Sequence, residues 1–239
     1  MGNSYKSLPG LHQSFQHRRS EYSMVKPFGP TILETDLPAE ILTSFLALTD
    51  KLMRNPNRES YGPYLVGQIK EEPLITIDLL KEVDVLDYLE SMFAEYVLAS
   101  ASVNADQAYQ SEVRSFQSSN HYRNPVEITI EAAWLVSQRK GEYNPIHNHS
   151  NAALSSVLYL KVPNFSSSVL PGKTPTDGQI EFVDGSTQPL QNATARVTPC
   201  VGKFFIFPSY LLHLVYPFHS DSDSDSERRS VSINASYKT

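Results

Sequence analysis

Apolar residues recur along this chain with two different periods, and the period changes near Val126. N-terminal to that point, Ile41, Phe45, Leu48 and Leu52 repeat every three or four positions behind a start signal, Asp36 and Pro38. This spacing predicts a helix with one buried face. Leu86, Leu89, Phe93 and Val97 predict a second helix over about 79–99. Residues 25–33, VKPFGPTIL, read as extended, and Pro27 and Pro30 place them at an edge, because proline cannot donate to a ladder. From Val126 onward the period is two. In 126–138, Ile128, Ile130, Ala132, Trp134 and Val136 alternate with Glu127, Thr129 and Glu131, which predicts a half-buried strand. Further strands are predicted at 154–162, 179–183, 194–198, 203–207, 211–216 and 229–237, with Pro, Gly, Asn, Ser and Asp between them. Short strands at this spacing indicate an antiparallel sandwich or barrel.

Two helices of this length hold too little core for a domain of their own. They are expected to pack on the outside of the sheet, giving an α+β fold with a jelly-roll-like core. The organisation expected is a single domain over 1–239. It divides into an N-terminal arm (1–24), a helical support region (25–125) and a sheet core (126–239). The Ser/Asp run HSDSDSDSE at 219–227 reads as a solvated loop. Substrate choice in such a fold is expected from the loops at its mouth, here 55–73, 100–125 and 164–178.

Composition narrows the function classes. The chain has 239 residues, 40% hydrophobic and 19% charged, which suits a folded domain rather than a disordered one. A formal charge of −6 disfavours non-specific nucleic-acid binding. A single cysteine, Cys200, excludes an intramolecular disulfide and a Cys-rich zinc module. No run of 18 apolar residues occurs, so no membrane helix is expected, and MGNSYKS lacks the apolar stretch of a secretory leader. The expectation is a cytoplasmic protein.

The histidines carry the chemistry. Four of the seven lie in polar stretches and need no explanation. His147 and His149 lie in GEYNPIHNHSN. On an extended strand, residues two apart point to the same face, so both imidazoles can converge on one metal ion. His213 lies in FPSYLLHLVYP, on another predicted strand, where an imidazole among apolar neighbours needs a partner for its nitrogens. A metal is one such partner and a buried hydrogen bond is another. Further on, RRSVSIN places Arg228, Ser230, Ser232 and Asn234 on one face of a strand and Arg229, Val231 and Ile233 on the other. An inward guanidinium is costly unless it meets an anion, and a carboxylate bound in bidentate fashion would satisfy it. Cys200 lies in a turn, and no Asp or Glu lies within the histidine motif. The site therefore lacks a nucleophile or general base for hydrolysis, which favours chemistry carried by a cofactor.

Taken in order, Trp134, NPIHNH (144–149), LSSVLY (154–159), GKFFIFPSYLLHLVYP (202–217) and RRSVSIN (228–234) resemble a branch of the 2-oxoglutarate/Fe(II)-dependent dioxygenases. That branch reads W, N-x-x-H-x-H, L-S-G-x-x-Y, G-x-x-x-x-F-P-S-x-x-x-H-x-V-x-P and R-x-S-x-S-x-N. The resemblance covers about 110 residues, from 126 to the end. It implies a double-stranded β-helix and metal ligands His147, His149 and His213. It also implies a pairing of Arg228 with the 5-carboxylate of 2-oxoglutarate. Tyr159 and Ser230 would assist by hydrogen bonding, and Asn144 and Asn234 would line the pocket. Fe(II), 2-oxoglutarate and O2 are the cofactors and co-substrates implied, with hydroxylation of an unidentified substrate as the default outcome.

The chain departs from the superfamily at three points. Most members carry a carboxylate where His149 stands. Three neutral imidazoles leave the metal's charge to the dianionic co-substrate, and imidazole also suits zinc, nickel and copper. The Gly of L-S-G is Ser156, and the Ser/Asp run stretches the interval before Arg228 and Arg229. Arg228 is preferred because its parity sets Ser230, Ser232 and Asn234 beside it. Two other readings remain at this point. One is a cupin-like metal protein with other chemistry. The other is a non-catalytic β-sandwich with dispersed histidines. An arginine facing the metal separates the first from an oxygenase.

Overall fold

Ten strands and three α-helices make up the described part of the computed structural model, which covers residues 22–25, 29–104, 126–166, 173–185, 189, 192–220 and 226–238. Strands β1 (Tyr22–Val25) and β2 (Ile32–Asp36) precede helices α1 (Ala39–Arg54), α2 (Ile77–Glu82) and α3 (Leu86–Asn104). Then come β3 (Glu127–Gln138), β4 (Asn144–His147), β5 (Leu154–Lys161), β6 (Ile180–Val183) and β7 (Thr194–Val197). Strands β8 (Lys203–Pro208), β9 (Leu212–Val215) and β10 (Arg228–Lys238) complete the chain.

The strands form two sheets, a six-stranded one in the order β1-β2-β8-β5-β10-β3 and a four-stranded one in the order β4-β9-β6-β7. Every pairing between them is antiparallel. The sheets face one another across a core of Ile32, Val157, Tyr159, Ile180, Phe182, Phe205, Phe207 and Val215. This is the jelly roll, or double-stranded β-helix, with helices outside. On its other face the large sheet buries Leu33, Leu135, Leu158, Phe204, Ile206, Val231 and Ile233 against Phe45, Leu48, Leu89 and Phe93 of α1 and α3. Each such side chain contributes roughly 1.5–3 kcal/mol through burial. A sheet covered on both faces explains why β5 is buried without interruption from Leu154 to Leu160, where a half-solvated strand would alternate.

The second helix departs from its expected form. Periodicity over 79–99 predicts one helix, whereas the structure breaks it into α2 and α3. Asp84 adopts a left-handed φ of 57°, Val85 N–H donates to Leu80 O at 3.1 Å, and Asp84 N–H donates to Lys81 O at 3.0 Å. This is a Schellman stop made with Asp rather than Gly, so no glycine marks it in the sequence. Residues 22–25, expected in the arm or in the following extended segment, form β1. Residues 1–21, most of 100–125, and parts of the loops at 164–178 and 219–227 lie outside the described residues.

The segment 60–75 positions the site. Glu71 bridges to Ser137 and Leu74 to Trp134, so this stretch runs along the outer edge of β3. Gln68 bridges to Tyr143, beside β4 in the other sheet. The chain between them therefore crosses from one sheet to the other over one end of the sandwich.

Strand β10 ties the sheet to α1 through Arg229, which is 4% exposed. Its guanidinium donates to Glu227 Oε1 at 2.7 Å, to Asp50 Oδ1 at 2.5 Å and to Thr49 Oγ1 at 3.2 Å. The Arg229 hydrogen bond holds the Asp50 carboxyl below its ordinary range. Burial alone would raise the Glu227 carboxyl, but Arg229 and Ser137 outweigh it and hold it low as well. Replacing Arg229 by Ala leaves buried Glu227 with Lys161 at 3.8 Å in place of its close cation and is expected to cost about 3 kcal/mol in denaturant unfolding. Because both folded carboxyls sit below their unfolded values, the stability they add is complete above the unfolded pKa. It is lost as pH falls through the folded one. Stability measured against pH should therefore fall less steeply below about pH 4 in the Ala variant than in the parent.

Candidate metal centre and its pocket

His147 on β4 and His213 on β9 are direct register partners, so adjacent strands carry them side by side. The register between these strands slips between Asn144 and His147. His149 lies beyond the end of β4, not on the strand as its spacing predicts. Its amide donates to Ser209 O at 2.9 Å, which turns the chain and still returns its ring to the group. Ring centroids are 4.3 Å apart for His147 and His213, 5.1 Å for His149 and His213, and 5.3 Å for His147 and His149. One ring nitrogen from each histidine lies within 4.8 Å of those of the other two.

The Nδ1 atoms settle the tautomers. His147 Nδ1 is 2.7 Å from Pro145 O, and His213 Nδ1 is 2.9 Å from Leu211 O. A carbonyl only accepts, so each Nδ1 carries the proton and each Nε2 keeps its lone pair. His149 Nδ1 is 2.7 Å from Asn234 Oδ1 and 3.1 Å from Ser155 Oγ, which fixes the same tautomer. Burial lowers the pKa of all three, that of His149 to about 4, and the two neighbouring rings lower His213 further. The rings are thus neutral near pH 7, the state that ligates a metal.

Further along the cavity Arg228 is 1% exposed. Its Nη1 donates to Gln138 Oε1 at 3.1 Å, and its guanidinium lies 4.8 Å from the centre of the Tyr159 ring. Gln138 is itself held by Glu142 O and Tyr216 O, at 2.6 and 3.1 Å. Among the described residues, Arg228 Nε and Nη2 and the Tyr159 hydroxyl have no hydrogen-bond partner. Gly178, at φ 63°, closes over this end, and a Cβ there would sit 2.7 Å from the Phe165 ring and 3.3 Å from Arg228 Cδ. A buried cation with unanswered donors is expensive. A carboxylate brought to it would meet both free donor atoms. Arg229 points the opposite way, into its pairs with Glu227 and Asp50.

The remaining sequence candidates divide. Asn144 and Ser230 line the same cavity as the three histidines and Arg228. Tyr159 lies beneath Arg228 rather than in the wall. Asn234 is not a wall residue of the co-substrate pocket, as its motif position implied. It stands behind His149 and receives its Nδ1–H, because the β10 register sets it opposite Ser155. Sequence reasoning missed Gln138, Ser155 and Glu72. Gln138 and Ser155 lie inside predicted strands, on the faces now seen to point at Arg228 and His149, and parity alone could have nominated them. Glu72 lies in a segment read as loop. It is 3% exposed, lines the cavity, and burial together with the nearby Glu142 raises its carboxyl to about 7.

Three neutral imidazoles that could hold a metal ion share one cavity with a buried guanidinium, inside a jelly roll. Residues 132–234 match the family described as "Putative 2OG-Fe(II) oxygenase". That stretch holds all three histidines and Arg228, and its match supports an Fe(II)/2-oxoglutarate-dependent oxygenase. Among solved structures, the non-haem α-ketoglutarate-dependent epimerase SnoN of nogalamycin biosynthesis superposes with a TM-score of 0.50 at 14% identity, covering 89% of this chain and 78% of its own. At that identity the likeness is one of fold. A prolyl-4-hydroxylase from Pseudomonas putida is similar at 16% identity, with a TM-score of 0.48 and coverage of 94% and 96%. No curated protein matches the sequence. Among the described residues, no helix is long and apolar enough to cross a membrane.

The Asn234–His149 contact makes a prediction. Replacing Asn234 by Leu removes the acceptor that orients the imidazole. Affinity for a divalent transition metal, read by competition with a chromophoric chelator, should fall about 10–100-fold while the fold is kept.

Proposed function

We propose that His147, His149 and His213 hold Fe(II) through their Nε2 atoms and that Arg228 receives the distal carboxylate of 2-oxoglutarate. On this reading the chain hydroxylates a C–H bond of its substrate. The observation that carries this reading is the pair of unanswered donors on buried Arg228, in one cavity with three converging imidazoles. The cupin-like and non-catalytic alternatives call for no such cation at this place.

The residues present fit the group. Three neutral nitrogen donors suit a divalent transition metal and leave positions free for a chelating keto acid and dioxygen. Bound there, Fe(II) with 2-oxoglutarate and O2 supplies an oxidant that yields succinate and CO2 and puts the second oxygen atom into the substrate. Everything else falls to the chain. The carbonyls of Pro145 and Leu211 and the Asn234 amide keep the histidine protons on Nδ1. Gln138 and the Tyr159 ring hold the guanidinium in place. Ser230 lines the same cavity as Arg228 and lies in register with Tyr159, so Ser230 and the Tyr159 hydroxyl would share the carboxylate. Asn144, Trp134 and Val136 form the wall on the substrate side. The exposed single thiol of Cys200 suits a reducing compartment, and we place the protein in the cytoplasm.

Anaerobic protein given Fe(II) and 2-oxoglutarate should show a weak visible charge-transfer band that neither component gives alone. In air it should form succinate. Arg228→Met keeps the volume and removes the charge. It should raise the 2-oxoglutarate requirement for the band by at least about thirty-fold, a loss of roughly 2 kcal/mol or more, with metal affinity little changed. A band absent from the parent protein, together with no succinate, overturns the reading. Equal 2-oxoglutarate requirements in parent and variant overturn the role of Arg228.

A further inference from the structure

Glu72 is the second buried charge-bearing group in the cavity, and nothing in the reaction outlined above uses it. Among the described residues its carboxyl accepts no hydrogen bond and forms no ion pair, although the residue is 3% exposed. The segment 60–75 arches around it. Tyr61 N–H donates to Glu72 O at 2.7 Å, so the backbone of this strap is pinned at the base of the side chain. Each carboxyl oxygen then faces a glycine. A Cβ on Gly67 would lie 3.2 Å from Oε1, and one on Gly62 would lie 3.5 Å from Oε2. Larger residues at these places would fill the space beside the carboxyl. At Gly67 a Cβ would also strike Asn144 Oδ1 at 2.2 Å.

The surroundings indicate what that space accepts. Tyr61 stacks on Trp134 with centroids 5.1 Å apart, Tyr64 leans on Tyr61 at 5.4 Å, and Trp134 reaches His149 at 5.6 Å. Trp134 lines the cavity with Glu72 and is held there by Tyr61. An aromatic wall that shares a cavity with an unpaired carboxylate favours a cation, which gains from the ring quadrupole as well as from the charge. An anion would meet Glu72 and the nearby Glu142, and a neutral group would leave the buried carboxylate uncompensated. Leu65 and Val66 complete an apolar wall beside it.

We infer that Glu72 reads the substrate, and that the substrate presents a positively charged nitrogen to it while its apolar body lies along Leu65, Val66 and Trp134. This inference rests on the oxygenase reading for its reaction but not for its binding site. The side chain lies in the wall that the strap closes, so it sets which substrate is held, as a specificity residue.

The test uses Trp134, the single tryptophan of the chain, as a reporter. Benzylammonium, benzyl alcohol and phenylacetate are titrated against its fluorescence. The titrations use anaerobic protein loaded with Fe(II) and 2-oxoglutarate, and then protein without either, at about pH 8.5, where the carboxyl is ionised. Benzylammonium should give a saturable change, with the alcohol and the acid at least about tenfold weaker. Glu72→Gln, shown to fold by circular dichroism, should weaken benzylammonium by at least about tenfold and leave the alcohol unchanged. Equal binding of alcohol and ammonium, no response to ammonium, or undiminished ammonium binding by E72Q overturns the inference. Should the variant fail to fold, the three-probe comparison in the parent protein decides alone. A charge-transfer band with no ammonium response sinks the role of Glu72 and spares the oxygenase reading. Ammonium binding with no band does the reverse.

Discussion

A full positive charge sits inside the sandwich at Arg228 with only a neutral amide and an aromatic face against it. Burial opposes the charge, yet a guanidinium does not give up its proton at any ordinary pH. The fold therefore holds a cation with two donor atoms open among the described residues, and much of the surrounding structure keeps it in place. Gln138 is fixed by two carbonyls so that its own oxygen points at Arg228. Gly178 lets the chain close over the arginine stem, where any side chain would strike Phe165. Gln138 belongs to β3 and Arg228 to β10, and their register sets them opposite one another. The strand pairing that builds the sheet thus also fixes Arg228 in the cavity.

Neighbouring Arg229 shows the other way to bury the same side chain. One residue along a strand reverses the face, and the large sheet buries both faces. Arg229 enters the helical side and finds Glu227, Asp50 and Thr49. Arg228 enters the side between the sheets and finds no carboxylate. Two adjacent guanidinium groups of nearly equal burial therefore differ in what completes them. The first is completed by the fold and holds α1 to β10. The second keeps two donor atoms open among the described residues. A residue whose partners are all internal reads as structural. One whose donors remain open, in a cavity with metal-binding nitrogens, reads as a binding group.

This contrast was legible in the sequence, because strand parity alone sorts Arg228 with Ser230 and Asn234 and sets Arg229 with Val231. The strands of the core were legible for the same reason. The convergence of His147 and His149 was legible too, although by a partly different route. Parity predicts both on one strand face, whereas His149 is returned to the group by its bond to Ser209, a contact about sixty residues away in sequence that no local pattern records. The α2–α3 break was hidden because its left-handed position carries Asp84, and periodicity runs on across it. Glu72 was hidden for a deeper reason. Its segment has no period and reads as loop, and only the bridges to Ser137, Trp134 and Tyr143 turn that loop into a wall of the site.

The charge balance of the cavity links the unusual ligand set to that wall. In an oxygenase with two histidines and a carboxylate, the metal shell itself supplies one negative charge. Here His149 replaces it with a neutral ring. A doubly charged metal and a doubly charged co-substrate cancel, and Arg228 then leaves the loaded cavity with one positive charge. Because that charge is Arg228's own, it stands before and after loading, and its field acts on Glu72 in the direction opposite to burial and to Glu142. The negative charge absent from the ligand shell is thus restored on the far wall, where it does not touch the metal.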